Sequence, residues 1–140
     1  MTTAPNSVLA YRAADSASAI AHFSAEFQFE TDCWDTHDAI ASGNPGFVIL
    51  DVRSPESYAK GHVPSAINLL RGKIIASKLA AYPADTLFVT YCAGPHCNGA
   101  AKAAIAIANL GRPVKIMVGG ITGWIDEGFA LVTDVHHLAS

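Results

Sequence analysis

Val89-Thr90-Tyr91-Cys92-Ala93-Gly94-Pro95-His96-Cys97-Asn98-Gly99-Ala100 is the stretch on which the fold turns. Its first residues close a run, residues 86–91, rich in β-branched and aromatic side chains. Such a run, bounded by turn residues, predicts a strand covered on both faces, as in a parallel sheet. Residues 98–110 are dominated by alanine and are stopped by Gly111 and Pro113, which predicts a helix. Small and turn-forming residues lie between. Strand, tight loop and helix make up the basic step of an α/β fold. Cys92 falls where the strand's carboxyl end meets the helix start, the usual ligand position in an open sheet.

The same step repeats outward in both directions. Upstream, Phe47-Val48-Ile49-Leu50-Asp51-Val52 predicts a second buried strand, and Ser54-Pro55-Glu56 a helix with Ser as N-cap and Pro in its first turn, ending near Gly61. Residues 66–69 predict a short strand. Apolar positions 74, 75, 79 and 80 predict a helix over residues 71–81. Downstream, residues 114–118 form the last strand, and Gly119-Gly120 turns into a short helix over residues 121–127. Nearer the N-terminus, residues 7–23 carry Val8, Tyr11, Ile20 and Phe23 as apolar anchors of one helix or two short ones. The aromatic/acidic alternation of residues 25–30 predicts a half-buried strand. Asp35 is a cap for a helix to about Ser42, stopped by Gly43-Asn44-Pro45-Gly46. The expected fold is therefore α/β: three layers, a mostly parallel central sheet, helices on both faces. The expected organisation is a helical extension (1–24), one domain (25–135) and a tail (136–140).

Composition agrees with a single packed domain. The chain has 140 residues, of which 51% are hydrophobic and 15% charged, so global disorder is excluded. Net charge is −3 and there is no run of Lys or Arg, which excludes a basic nucleic-acid footprint. No apolar stretch approaches the ~20 residues of a membrane helix. The N-terminus lacks a basic segment followed by an apolar one, which argues against a signal peptide and for a cytoplasmic location. Three cysteines, Cys33, Cys92 and Cys97, read as thiol chemistry rather than as a disulfide scaffold.

The chemistry concentrates at Cys92. Gly94 and Gly99 permit backbone conformations closed to most residues, and Pro95 fixes one torsion. A loop of this kind curls so that successive N–H groups face the sulfur, and with the helix start they favour an anion there. The same field depresses the thiol's pKa and makes it a nucleophile. The alternative is a small buried hydrophobe at a strand end.

Several separated motifs then resemble the single-domain rhodaneses, which are sulfurtransferases. Leu50-Asp51-Val52-Arg53 with Pro55-Glu56-Ser57-Tyr58 resembles the family's "DVR…E(F/Y)". Gly61-His62-Val63-Pro64-Ser65-Ala66-Ile67-Asn68 resembles "GHIPGAIN". Tyr91-Cys92 with the small loop resembles the active-site loop, and Gly119-Gly120-Ile121-Thr122-Gly123-Trp124 the closing "GG…GW". The resemblance covers residues 27–132 and implies the rhodanese-like three-layer fold. It makes Cys92 the sulfur acceptor, with Ala93, Gly94, Pro95, His96 and Cys97 as the cradle. It implies a two-step reaction: Cys92 takes sulfane sulfur from a donor such as thiosulfate, and a thiophilic acceptor, cyanide or a thiol (a protein thiol included), removes it. No metal or organic cofactor is implied.

Cys97 stands where the family often has Arg, Thr or Ser, and it reads either as a resolving thiol or as a small loop residue. Arg53, with Asp51, reads either as active-site electrostatics or as a structural ion pair. Arg71 and Lys73 read as anion-attracting groups at the cleft mouth or as a solvated helix face. His96 orients an anion or points to solvent, His62 reads as a base or, within its motif, as a residue that bonds backbone and fixes a turn, and Trp124 is core. Cys33 and Trp34 read as core or surface with no partner motif, and His136 and His137 fall in a loose tail and carry little weight. A Cys-x5-Arg phosphatase loop does not fit, since Asn98 stands where the Arg would be. Structural zinc does not fit either, because no second ligand pair follows Cys92, His96 and Cys97.

Overall fold

A computed structural model describes residues 6–133. Helix α1 (Ser16–Phe29) leads into β1 (Glu30–Asp32), α2 (Cys33–Ala41), β2 (Phe47–Asp51), α3 (Pro55–Lys60) and β3 (Ile67–Asn68). A 3-10 turn (Arg71–Lys73), α4 (Ala76–Leu79), β4 (Leu87–Tyr91), α5 (Gly99–Asn109), β5 (Val114–Val118) and α6 (Gly120–Asp126) follow. The strands form one five-stranded sheet in the order β1-β5-β4-β2-β3, and every neighbouring pair is parallel. The sheet's edges are its shortest members, three residues at β1 and two at β3.

Strand β4 lies at the centre, in register with β2 through Ile49 opposite Val89 and Asp51 opposite Tyr91. Its last four residues are all buried, as the unbroken apolar run demands. Alternation sends them to two different cores. Val89 and Tyr91 join Cys33, Ile49, Val63, Met117 and Trp124 on one face. Phe88 and Cys92 join Leu50, Leu79, Ala103 and Ile107 on the other, beneath α4 and α5. The alanines of α5 let that helix sit close, with Ala103 fully buried.

The expected start of α3 is in place: Ser54 accepts from the Ser57 N–H (3.2 Å), and Pro55 is the first helical residue. Trp124 is core, its indole N–H donating to the Ala130 carbonyl (2.9 Å).

Three local expectations are corrected. Residues 25–29 are helical, and the strand begins only at Glu30, where it pairs with Ile116. Phe23 and Phe27 are four apart, so the same residues satisfy a helical period. Helix α1 buries none of its residues, with Phe27 70% exposed. It also runs across the expected boundary at residue 24. Asp32, not Asp35, caps α2: its carboxylate accepts from the Asp35 N–H at 2.8 Å. The expected helix over residues 71–81 is broken, because the adjacent β-branched Ile74 and Ile75 adopt extended backbone and leave only α4. The tail (136–140), with His136 and His137, lies outside the described residues.

Candidate functional site at the end of strand β4

Helix α6 holds the loop after β4 from below. The Ile121 N–H donates to the Cys92 carbonyl (3.0 Å), and the Thr122 N–H to the Ala93 carbonyl (2.9 Å). The Thr122 hydroxyl donates to the same Ala93 oxygen (2.8 Å). This approach requires glycine at 120. Its φ is +59°, and a Cβ there would lie 2.5 Å from the Cys92 oxygen and 2.8 Å from the Gly94 nitrogen. The loop closes on itself through the Cys97 N–H to Gly94 carbonyl bond (3.0 Å). The Thr90 hydroxyl, donating to the Ala100 carbonyl (2.9 Å), ties β4 to the first turn of α5.

Cys92 and Cys97 are joined in a disulfide, their Cα atoms 6.4 Å apart. Cys92 is 9% exposed and Cys97 half-buried, while Ala93, Pro95 and His96 are exposed. The expected ring of amides around the Cys92 sulfur is not found: among the described residues no N–H donates to Cys92 Sγ. The N–H that meets a sulfur belongs to Gly99, and it points at Cys97 Sγ (3.4 Å). Cys92 belongs to the apolar cluster that also holds Leu50, Val52 and Ala100. Four loop N–H groups, those of Ala93, Gly94, His96 and Asn98, have no protein acceptor among the described residues. A cavity of about 130 Å³ opens beside the disulfide, lined by Cys92, Gly94, Pro95, Cys97, Gly119 and Gly120 among others. That is smaller than a drug-sized pocket and suits a small anion or the tip of a larger donor.

A protein-family model described as a rhodanese-like domain matches residues 35–127. The chain belongs to the rhodanese-like family. A solved structure from Bacillus halodurans is 35% identical, covers 85% of this chain and 87% of its own, and superposes with a TM-score of 0.82. The thiosulfate sulfurtransferase structure from Pseudomonas aeruginosa is 18% identical, with a TM-score of 0.64 over 79% of this chain and 21% of its own, a likeness of fold. An HTH-type transcriptional regulator of Mycobacterium tuberculosis is 36% identical over 86 residues, which are 57% of this chain and 38% of the regulator. The rhodanese-like chain thus spans little more than a third of that relative.

Within the rhodanese-like domain, Gly94, Pro95 and Cys97 line the cavity with Cys92, while Ala93 and His96 are exposed and neither Arg53 nor Arg71 lines it. Arg53 lies on the Tyr91 side of the sheet, its guanidinium 5.9 Å from the Tyr91 ring centroid, whereas the Cys92 sulfur is on the α5 side. Its Nε and Nη2 donate to the Asp51 carboxylate (3.0 and 2.7 Å), and Nη2 also reaches the Gly61 carbonyl (2.6 Å). Asp51 is fully buried and accepts further from the Tyr91 hydroxyl (2.7 Å), which in turn accepts the Val63 N–H (3.1 Å). Burial works against the Arg53 charge, but the hydrogen bond and attraction of Asp51 prevail and its pKa is raised. Burial first, and then the Asp51 charge, push the Tyr91 hydroxyl well up, so it remains a donor. Arg53 is thus held as a structural ion pair that braces the strand carrying the site cysteine. Arg71 and Lys73 are exposed on the 3-10 turn, which packs against α5. His62 is structural: its Nδ1 meets the Tyr58 carbonyl at 2.8 Å, and its main chain bridges to Val132.

Two residues packed beside the loop were not assigned from sequence. Thr122 acts through its contact with Ala93, and only the Gly119-Gly120 pair before it hinted at a close approach. Cys33 sits behind that pair, its sulfur 3.6 Å from the Val118 and Gly120 carbonyls. Burial, then Asp32 and Glu127, push its thiol up to about 11, so it is inert at neutral pH. Among the described residues no helix is long and apolar enough to cross a membrane.

Proposed function

We propose that this rhodanese-like protein transfers sulfane sulfur through a persulfide on Cys92. With the disulfide reduced, the Cys92 thiolate attacks the outer sulfur of a donor such as thiosulfate, and sulfite leaves with the electron pair of the broken S–S bond. Cyanide or a thiol then attacks the outer sulfur of the persulfide and restores the thiolate. The observation that carries this reading is the place of Cys92: at the carboxyl end of the central strand, beside a small cavity, inside the matched family domain. The unpartnered N–H groups of Ala93, Gly94, His96 and Asn98 are the donors available to hold an anionic sulfur. Among the described residues no Lys or Arg lines the cavity, and Arg53 is paired with Asp51 on the other side of the sheet, so thiosulfate is expected to be a slow donor relative to a less charged one.

Intact mass spectrometry of the pre-reduced protein tests the reading. After exposure to a donor, the Cys97→Ser chain should gain one sulfur atom on Cys92 and lose it to cyanide as thiocyanate, and Cys92→Ala should show neither change. No gain on Cys97→Ser with any donor would end this reading. The disulfide itself favours a second one, a redox or regulatory module working through Cys92 and Cys97. That module would oxidise stoichiometrically and show no cyanide-dependent turnover.

A further inference from the structure

We infer that Cys97 resolves the Cys92 persulfide, so that the protein releases its sulfur as hydrosulfide and is returned to the thiol form by a dithiol. The inference rests on the persulfide proposed above and adds a second reacting residue and a different product.

Geometry favours the internal thiol over any external acceptor. The Cα atoms of Cys92 and Cys97 are 6.4 Å apart, within the span that a disulfide bridges without backbone movement. The chain between them is already closed by the Cys97–Gly94 bond, and its start is pinned to α6 through the Cys92 and Ala93 carbonyls. The entropy of bringing the two sulfurs together is therefore largely paid during folding. An acceptor from solution must instead enter a cavity of about 130 Å³ of which Cys97 itself forms part of the wall. Gly99 serves both sulfurs. A Cβ at that position would lie 3.0 Å from Cys92 Sγ and 3.4 Å from Cys97 Sγ, so the absent side chain leaves room for the pair. Its N–H points at Cys97 Sγ and stabilises negative charge on the attacking sulfur.

In the resolving step the Cys97 thiolate attacks Cys92 Sγ. The Cys92–Cys97 bond forms, and the bond from Cys92 Sγ to the outer sulfur breaks. Hydrosulfide leaves with that electron pair and with the persulfide proton. The sulfane sulfur is reduced by two electrons, and the two cysteine sulfurs are oxidised to the disulfide. A dithiol reverses the oxidation. Its first thiolate attacks Cys97, the less buried of the two residues, and frees Cys92; its second displaces Cys97 and carries both electrons away as a new disulfide. Over the cycle, one dithiol and one sulfane sulfur become one disulfide and one sulfide.

The test compares wild type with Cys97→Ser, and with Cys97→Ala as a second variant of different polarity. Each is reduced, freed of reductant, and given thiosulfate or, in a parallel arm, 3-mercaptopyruvate. Intact mass and released sulfide are then measured. Wild type should end two hydrogens lighter than the reduced chain, with one sulfide released per chain. Both variants should keep one added sulfur and release none. With excess dithiothreitol, wild type should release sulfide at least about tenfold faster than either variant. Wild type that keeps its persulfide as long as the variants, or equal sulfide release from all three, would overturn the role of Cys97. Variants that take up no sulfur from either donor, beside a wild type that releases none, would overturn the persulfide itself.

Discussion

Replacing Arg53 with methionine separates a structural arginine from a substrate-binding one. The guanidinium makes contacts of 2.7 and 3.0 Å to a fully buried carboxylate and 2.6 Å to the Gly61 carbonyl. Methionine fills much of the same space and supplies none of these donors. Removing one partner of a buried pair costs roughly 3–5 kcal/mol, because the other charge is left uncompensated. Asp51 would keep the Tyr91 hydroxyl and the Arg53 backbone N–H (2.9 Å), which places the loss toward the lower end, about 3 kcal/mol. With a urea dependence of about 2 kcal/mol per M, the unfolding midpoint should fall by about 1.5 M. Removing the charge as well, in Asp51→Asn with Arg53→Met, should recover at least about 1.5 kcal/mol of that loss, since the two residues share one network. The readout is urea unfolding followed by far-UV circular dichroism for wild type, both single variants and the double. A midpoint within about 0.3 M of wild type, together with weaker uptake of an anionic donor, would refute the structural assignment.

Other expected outcomes follow from the same geometry. Gly120→Ala should cost at least about 2 kcal/mol and alter the alkylation rate of reduced Cys92, because its Cβ would strike the Cys92 and Gly94 backbone at positive φ; thermal unfolding and iodoacetamide kinetics would show it. Folding raises the Cys33 pKa from 9.0 to about 11, so the folded chain keeps a proton that the unfolded chain sheds. Stability from this group should be intact below pH 9 and fall toward pH 11 by up to about 1.4 kcal/mol per pH unit, a slope that Cys33→Ala should flatten in urea titrations at graded pH. Phe23→Ser and Phe27→Ser should each leave stability within about 0.5 kcal/mol, since both rings are exposed on α1; a large drop in unfolding temperature would mean that α1 is packed against something.

Legibility followed the strength of local signals. Strands β2 and β4 were readable because each is a continuous apolar run, and α3 because Ser54 and Pro55 mark its start chemically. The place of Cys92 was readable because the strand end and helix start on either side of it are both unambiguous. Residues 25–29 were misread because their aromatic residues satisfy periods of both two and near four, and nothing local chooses between them. The place of Arg53 depends on Tyr91, its neighbour only through the pairing of β2 with β4. Cys97 lies five positions from Cys92, a spacing that bounds the reach of the two sulfurs but not their orientation. Thr122 becomes legible only once α6 lies beneath the loop.

The two outermost strands carry a consequence for how copies of this chain behave at high concentration. Flanking strands of three and two residues leave too little bare main chain for one molecule to extend another's sheet. With 15% charged residues and a net charge of −3, mutual repulsion between copies is weak. Protection against fibrous stacking therefore falls to the brevity of those margins, and lengthening either of them would remove it.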